Sequence, residues 1–194
     1  MDARSVGWRT SMTWDWLYFM HAGTDIAEFD SGLAGLRGNR WGAEAASQWT
    51  VLRDVYAREL VAPLPPGRSG FAMPLGLDGP EFTSLADSLE LRAWCSPLWP
   101  RFMEWRRGTK PEGFNGGRPG WTGEDTSLWL SDLRMRLPAE RQVRIVALPL
   151  LPRRVLHRVR SSGPLGTFVG LVITHSLLVR PDEFTAACRA ELFG

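Results

Sequence analysis

The fold is decided by residues 142–179, which read QVRIVALPLLPRRVLHRVRSSGPLGTFVGLVITHSLLV. Three parts of this stretch, 142–151, 155–160 and 168–179, are rich in β-branched residues and alternate with the period of a strand. They predict three β-strands. The segment SSGPLGT predicts a hairpin connection between the last two, because glycine and proline supply the backbone geometry of a tight turn.

The chain before this stretch predicts helices. The strongest pattern covers 43–61, where apolar side chains recur at helical spacing and charged residues occupy the other side. Residues 13–21 fit both a helix and a strand, and we favour the helix. Further helices are predicted at 25–36, from Pro80 to Ala93, as short turns starting at Ser96 and Pro100, at 128–137, and from Pro181 to Leu192 with Phe184, Ala187 and Cys188 inward.

Together these patterns predict an α+β fold in a single domain of residues 1–194. A mainly helical part, at about 1–137, would pack on a small antiparallel sheet of about three strands. The sheet and a C-terminal helix that covers one of its faces would occupy about 138–194. Glycine and proline predict loops at 62–79 and 108–123.

Cysteine usage and hydropathy bear on location. Cys95 and Cys188 are too few for a disulfide framework, so we expect two buried thiols and a cytoplasmic protein. The N-terminus lacks the residue order of a signal peptide, and the longest apolar run, 168–179, is shorter than the roughly 20 residues that span a bilayer. We therefore expect neither a leader nor a membrane segment.

Positive charge is concentrated in residues 133–181, which contain nine arginines and only one acid, Glu140. This block carries +8, so the rest must sum to −6 because the whole chain carries +2. Arg144, Arg158 and Arg160 alternate with apolar residues, which indicates a row of guanidinium groups suited to phosphates. The same strands lack stacking aromatics, so we favour pairing with the acidic remainder and expect weak duplex binding.

Local catalytic motifs are absent from the sequence. There is no phosphate-binding loop, no HExxH, no paired CxxC and no GxSxG, and we expect no cofactor. His21, Asp25 and Glu28 have the spacing of metal ligands on one helix, but Gly23 and Thr24 interrupt that helix. We therefore predict no metal site.

His175 is the best acid–base candidate among the three histidines. It interrupts the apolar row on one face of the predicted strand 168–179, and a hairpin turning about residues 164–165 would place Arg154 opposite it. The favoured interpretation is a core histidine with one hydrogen bond. The alternative is a small enzyme with a tryptophan-lined pocket, in which His175 transfers protons and Arg154 or Arg158 binds an anionic group.

Ten tryptophans lie between positions 8 and 129. Trp49, Trp94 and Trp105 fall on predicted core faces, whereas Trp8 and Trp121 have no predicted helix to bury them. Exposed indoles are typical of interfaces.

The leading hypothesis is a non-catalytic protein that docks to an unidentified protein partner. Its predicted docking surface consists of Trp8 and of Phe114, Arg118 and Trp121 in the 109–123 loop. The small enzyme is the alternative, and a nucleic-acid binder that uses the arginine strands, with Arg144 and Arg160, is the second alternative.

Overall fold

A computed structural model describes residues 4–9, 11–22, 43–62, 79–108, 123–148 and 153–194. The elements, in chain order, are β1 (Ser5–Arg9), α1 (Met12–Ala22), α2 (Ala43–Val61), a 3-10 helix (Thr83–Leu85), α3 (Leu89–Gly108), α4 (Gly123–Arg136), β2 (Arg141–Leu148), β3 (Val155–Gly163), β4 (Gly166–Thr174), α5 (His175–Leu178), α6 (Pro181–Ala187) and α7 (Arg189–Phe193). The α+β class is confirmed. The predicted helix at 25–36 and most of both predicted loops lie outside the described residues.

The sheet has four strands in the order β1-β2-β4-β3. The prediction of three antiparallel strands is corrected in two respects, because β1 is added and both β1–β2 and β2–β4 are parallel. Of the three strand pairs in the described residues, that of the hairpin partners β3 and β4 is antiparallel. Strand β4, which is buried over 168–174, occupies a central position between β2 and β3.

The chain divides into two compact units. Unit 1 comprises residues 1–10, 57–72 and 110–194, and unit 2 comprises 11–56 and 73–109. The boundary at 56–57 lies inside α2, whose predicted extent of 43–61 is confirmed. The single domain stays a prediction, since two compact units are compatible with one domain or with two.

Unit 1 has its core on one face of the sheet. Val143, Ile145, Val169 and Leu171 face the same side and are fully buried. The residues that pack on them from α4 to α7 are Leu133, Leu137, Leu177, Leu178, Phe184, Cys188 and Leu192. The predicted C-terminal helix is thus two short helices that break at Cys188, and Ala187 is exposed rather than inward.

The opposite face of the sheet meets the end of α2. A Cβ on Gly170 would lie 2.7 Å from Val159 Cγ1 and 2.9 Å from Leu60 Cβ, so glycine lets the helix approach β4 closely. The Arg144 side chain lies on this face too, since Arg144 pairs with Gly170 in the β2–β4 register.

Unit 2 is organised around α1, which is buried at every position from 13 to 19. This burial explains why residues 13–21 fitted the period of a helix and that of a strand, because a helix that is buried on all sides has no apolar stripe along one face. The favoured helix is confirmed. Its Trp16 ring contacts Phe82, Trp99 and Phe102, with centroids 5.3, 5.3 and 4.8 Å away.

The predictions around α3 were wrong in two ways. The helix expected from Pro80 is a turn and a 3-10 helix, because Phe82 adopts φ 48° and ψ 52°, outside helical geometry. The helix then begins at Leu89 and runs through Pro97 and Pro100, where fresh starts were expected. Leu91, Cys95, Leu98 and Phe102 form a buried row that continues past both prolines, and this burial offsets a cost of about 3 kcal/mol per interior proline.

Candidate binding surface

The outer edge of β3 is the candidate surface. Strand β3 ends the sheet, and no other strand in the described parts of the chain pairs with its outer side. The side chains of Arg158 and of residues 160–163 are exposed. A strand edge of this kind carries a row of backbone donors and acceptors that can pair with another chain.

Hydrogen bonds of β4 show which groups of β3 point outward. The Thr167 N–H donates to the Glu140 carbonyl oxygen at 3.0 Å, away from β3, and the Thr174 N–H donates to the Arg154 carbonyl oxygen at 3.0 Å, toward it. The direction of the N–H and C=O groups alternates from one residue of β4 to the next, so those of Thr167, Val169 and Leu171 point away from β3. The backbone groups of the β3 residues paired with these three therefore point to the outer edge of the sheet. These partners are Ser162, Arg160 and Arg158.

A register shift separates His175 from Arg154. The hairpin turns at Pro164–Leu165 as expected, but an irregularity between Val155 and His157 inserts one residue into β3. Arg154 therefore lies beside Thr174, whose hydroxyl accepts the Arg154 N–H at 3.0 Å. The predicted opposition of Arg154 and His175 was wrong.

His175 itself is not on a strand. Strand β4 ends at Thr174, opposite Leu148 at the end of β2, and His175 is the first residue of α5. The Ser176 hydroxyl contacts the Thr174 hydroxyl at 3.2 Å, which adds a local polar contact where the ladder stops. The predicted strand 168–179 placed His175 in an apolar row. The structure places it, half-buried, outside that row, so this prediction was wrong.

Arg158 and Arg160 point to the core side of the sheet, where α7 lies. The Arg158 Nε is 2.6 Å from Glu191 Oε1, and Arg158 also donates to the Ala187 carbonyl oxygen at 3.2 Å. Arg160 donates to an oxygen of Gly194 at 3.3 Å. These side chains join the edge strand to the C-terminal helices.

Two more arginines of the basic block contact the same C-terminal segment. Arg141 donates to the main-chain oxygens of Glu191 and Gly194 at 2.6 and 2.8 Å, and Arg153 pairs with the Glu183 carboxylate at 2.9 Å. Glu183 and Glu191 belong to the acidic remainder of the chain. The favoured interpretation, in which the arginines pair with the acidic remainder of the chain, therefore holds for Arg153 and Arg158.

Arg144 is not part of this row. It is buried on the opposite sheet face, because strand alternation places Arg158 beside Leu171 and Ile145. Its guanidinium donates to the Leu60 and Ala62 carbonyl oxygens at 3.0 and 2.6 Å and lies 5.2 Å from the Phe168 ring centroid. A row of Arg144, Arg158 and Arg160 on one face was therefore a wrong prediction.

Arg9 of β1 shares the Arg144 face of the sheet. Burial, and secondarily the charge of Arg144, lower the pKa of Arg9 to about 10, and burial lowers the pKa of Arg144 as well. Both side chains remain cationic at neutral pH. Arg144 therefore has a structural role inside unit 1, where its hydrogen bonds to Leu60 and Ala62 hold the end of α2.

The tryptophans predicted to be core or exposed differ in how far they are buried. Trp49 is buried, and its indole N–H donates to the Leu17 carbonyl oxygen at 2.9 Å, whereas Trp94 and Trp105 are half-buried. Trp8 lies in β1, half-buried against the core of unit 1, rather than fully exposed. Phe114, Arg118 and Trp121 lie outside the described residues.

The thiols have the character of core groups. Burial raises the pKa of Cys95 to about 12, and burial raises the pKa of Cys188 to about 12 as well. A thiol of this kind is protonated at neutral pH and a poor nucleophile. The expected burial of both cysteines is confirmed.

No group of three or more His, Cys, Asp or Glu side chains in the described ranges could bind a metal ion. None of the helices in those ranges has the length and hydropathy needed to cross a membrane.

Sequence reasoning missed two features. The first is the row of outward N–H and C=O groups on β3. These groups belong to the backbone, so the sequence could indicate them only indirectly, through the turn at 164–165 and the lack of a further predicted strand to pair with β3. Asp15 is the other: it is an acid between two tryptophans on α1, and it is 3% exposed. An acid inside an otherwise apolar helix was the available signal.

Comparison with known proteins adds no functional information: no family model, curated protein or solved structure matches the chain.

Proposed function

We propose that this protein acts by binding a partner protein, and that an extended segment of the partner adds a strand to the outer edge of β3. The observation that carries the proposal is the outward direction of the backbone groups of Arg158, Arg160 and Ser162. Addition of a strand to a sheet edge is a recurrent mode of peptide recognition.

Backbone chemistry favours a polypeptide over a nucleic acid as the partner. Each outward residue of β3 offers one N–H donor and one C=O acceptor, and a second strand offers the complementary pair. Phosphate groups accept hydrogen bonds but donate none, so they would leave the outward carbonyls without a partner. In addition, Arg153 and Arg158 already form ion pairs inside the protein.

Charge favours an acidic partner segment. Residues 153–160 contain four arginines and no acidic residue, and all four arginines are exposed. This local concentration of positive charge speeds the approach of an acidic strand and disfavours pairing with a second copy of β3.

The catalytic alternative has less support. It assigned proton transfer to His175 and anion binding to Arg154 or Arg158. His175 begins α5, Arg154 lies beside Thr174, and Arg158 forms an ion pair with Glu191. The 109–123 loop with Trp121, Phe114 and Arg118 stays a predicted second contact of the partner. We propose a cytoplasmic location, supported by the two free thiols.

Ser162→Pro should weaken strand addition without disrupting the hairpin. Proline removes an outward N–H that β4 does not use, and its ring occupies the path of an incoming strand; proline is tolerated at such edge positions. We expect the affinity for acidic peptides rich in β-branched residues to fall by at least about tenfold. Fluorescence anisotropy with a set of such synthetic peptides measures this.

Ser162→Ala is the matched control, because it removes the same hydroxyl and keeps the N–H. It should bind as the unmodified protein does, and circular dichroism should show both variants folded. Equal binding by the alanine and proline variants would refute the edge as the site, as would failure of the unmodified protein to bind any acidic peptide. Self-association that only Ser162→Pro abolishes would make a second copy the occupant and refute the acidic partner.

A further inference from the structure

Asp15 is a buried carboxylate that neither the fold nor the proposed binding surface accounts for. It lies on α1 between Trp14 and Trp16 and is 3% exposed. Its Oδ2 accepts one hydrogen bond, from Arg106 Nε at 3.1 Å. Its Oδ1 is buried and has no hydrogen-bond partner among the described residues. An ionised carboxylate has two oxygens that require donors, so this site satisfies only half of that requirement.

Among the described residues, no donor forms a hydrogen bond with Oδ1. From α3, Arg106 is the charged group that acts on Asp15, and its side chain is 28% exposed, so solvent weakens the pair. From α2, the charge of Arg53 acts on Tyr18, and Arg53 itself pairs with Asp54 at 2.8 Å. On α1 the neighbours of Asp15 in sequence are Trp14 and Trp16, both fully buried.

We propose that Asp15 takes up a proton in mildly acidic solution and thereby stabilises the helical unit, so that it acts as a pH-sensitive switch at the contact between α1 and α3. A proton removes the buried negative charge, which otherwise relies on a single bond from a partly exposed guanidinium. Arg106 can then turn its charge to solvent.

The direction of the effect follows from the pKa. Burial raises the pKa of Asp15 from 3.8 to about 6, and the hydrogen bond and charge of Arg106 oppose this only in part. Because the folded value lies above the unfolded one, the stabilising contribution is complete below about pH 4 and is lost as the pH rises through about 6. A difference of about two pKa units corresponds to about a 100-fold change in the unfolding equilibrium constant.

Tryptophan fluorescence can follow this effect in the full-length chain, because seven of the ten tryptophans belong to unit 2. Urea unfolding should be measured at a series of pH values for the unmodified protein and for Asp15→Asn, which removes the titration and keeps the shape. We expect the unfolding equilibrium constant of the unmodified protein to rise about 50-fold more than that of Asp15→Asn between pH 4 and pH 7.

Asp54→Asn is the control, since Asp54 is a half-exposed carboxylate of the same unit and pairs with Arg53. It should keep the pH dependence of the unmodified protein. The same pH dependence in Asp15→Asn and in the unmodified protein would overturn the proposal. If Asp15→Asn does not fold, a carbon NMR titration of the unmodified protein decides: a midpoint near 6 for the Asp15 carboxyl supports the switch, and a midpoint near 4 refutes it.

Discussion

Phe102→Ala should lower the free energy of unfolding of unit 2 by about 3–5 kcal/mol. Phe102 is completely buried in α3, and its ring contacts Trp16, Phe19, Trp99 and Trp105 at centroid distances of 4.8, 5.4, 5.2 and 5.9 Å. Removing it leaves a cavity between rings from two helices, and rigid indoles cannot close that cavity by changing rotamer. Urea unfolding followed by tryptophan fluorescence measures the loss.

Leu89→Ala provides the comparison for Phe102→Ala, because Leu89 lies in the same helix and is 71% exposed. We expect its effect to stay within about 0.5 kcal/mol. Similar losses for the two variants would mean that Phe102 is not in a packed aromatic cluster.

Gly166→Ala should destabilise unit 1 by about 3 kcal/mol. Gly166 has φ 105°, a conformation that side chains rarely adopt, and an added Cβ would overlap the carbonyl oxygen of Glu140. That oxygen accepts the Thr167 N–H, so it cannot move without breaking the first bond between β4 and the start of β2. Thermal unfolding followed by far-ultraviolet circular dichroism measures the effect.

Gly163→Ala tests the same turn from its other end. Gly163 pairs with Gly166 across the hairpin, and no atom lies within 4 Å of the position its Cβ would take. Its substitution should change the free energy of unfolding by less than about 1 kcal/mol. If alanine were tolerated equally at 163 and 166, the geometry of this turn would be wrong.

Local patterns predicted the elements whose formation depends on nearby residues. Helix α2 was predicted at 43–61 because its apolar stripe is regular and Pro63 follows it. The hairpin of β3 and β4 was predicted because its turn residues lie between two alternating strands. Both signals are contained in short windows of sequence, where propensity and periodicity are informative.

Long-range pairing decided what the sequence did not reveal. Strand β1 is five residues long and pairs with β2, more than a hundred residues away, so no local pattern identifies it as a strand. The order of β2, β3 and β4 likewise depends on which strand occupies the buried centre. Helix α3 passes two prolines because burial of its apolar row outweighs their local cost.

The candidate site could be predicted only in part, for a related reason. Arg158 and Arg160 were predicted on one face of a strand, but Glu191, the ion-pair partner of Arg158, comes from a helix distant in sequence. One inserted residue between Val155 and His157 changed which side chain faces Arg154, and no feature of the sequence marks that irregularity. A strand edge exists only once the order of the sheet is known, so the surface that we propose for binding has no signature of its own.

The most direct test of the binding proposal is amide hydrogen exchange of β3, measured by NMR on the free protein. If the outer edge accepts a strand, the N–H groups of Arg158, Arg160 and Ser162 should exchange rapidly, and those of His157, Val159 and Ser161, which bond to β4, should be protected. Adding an acidic peptide should then protect Arg158, Arg160 and Ser162. Protection of all six amides in the free protein would mean that the edge is already covered, and this result would contradict the proposal.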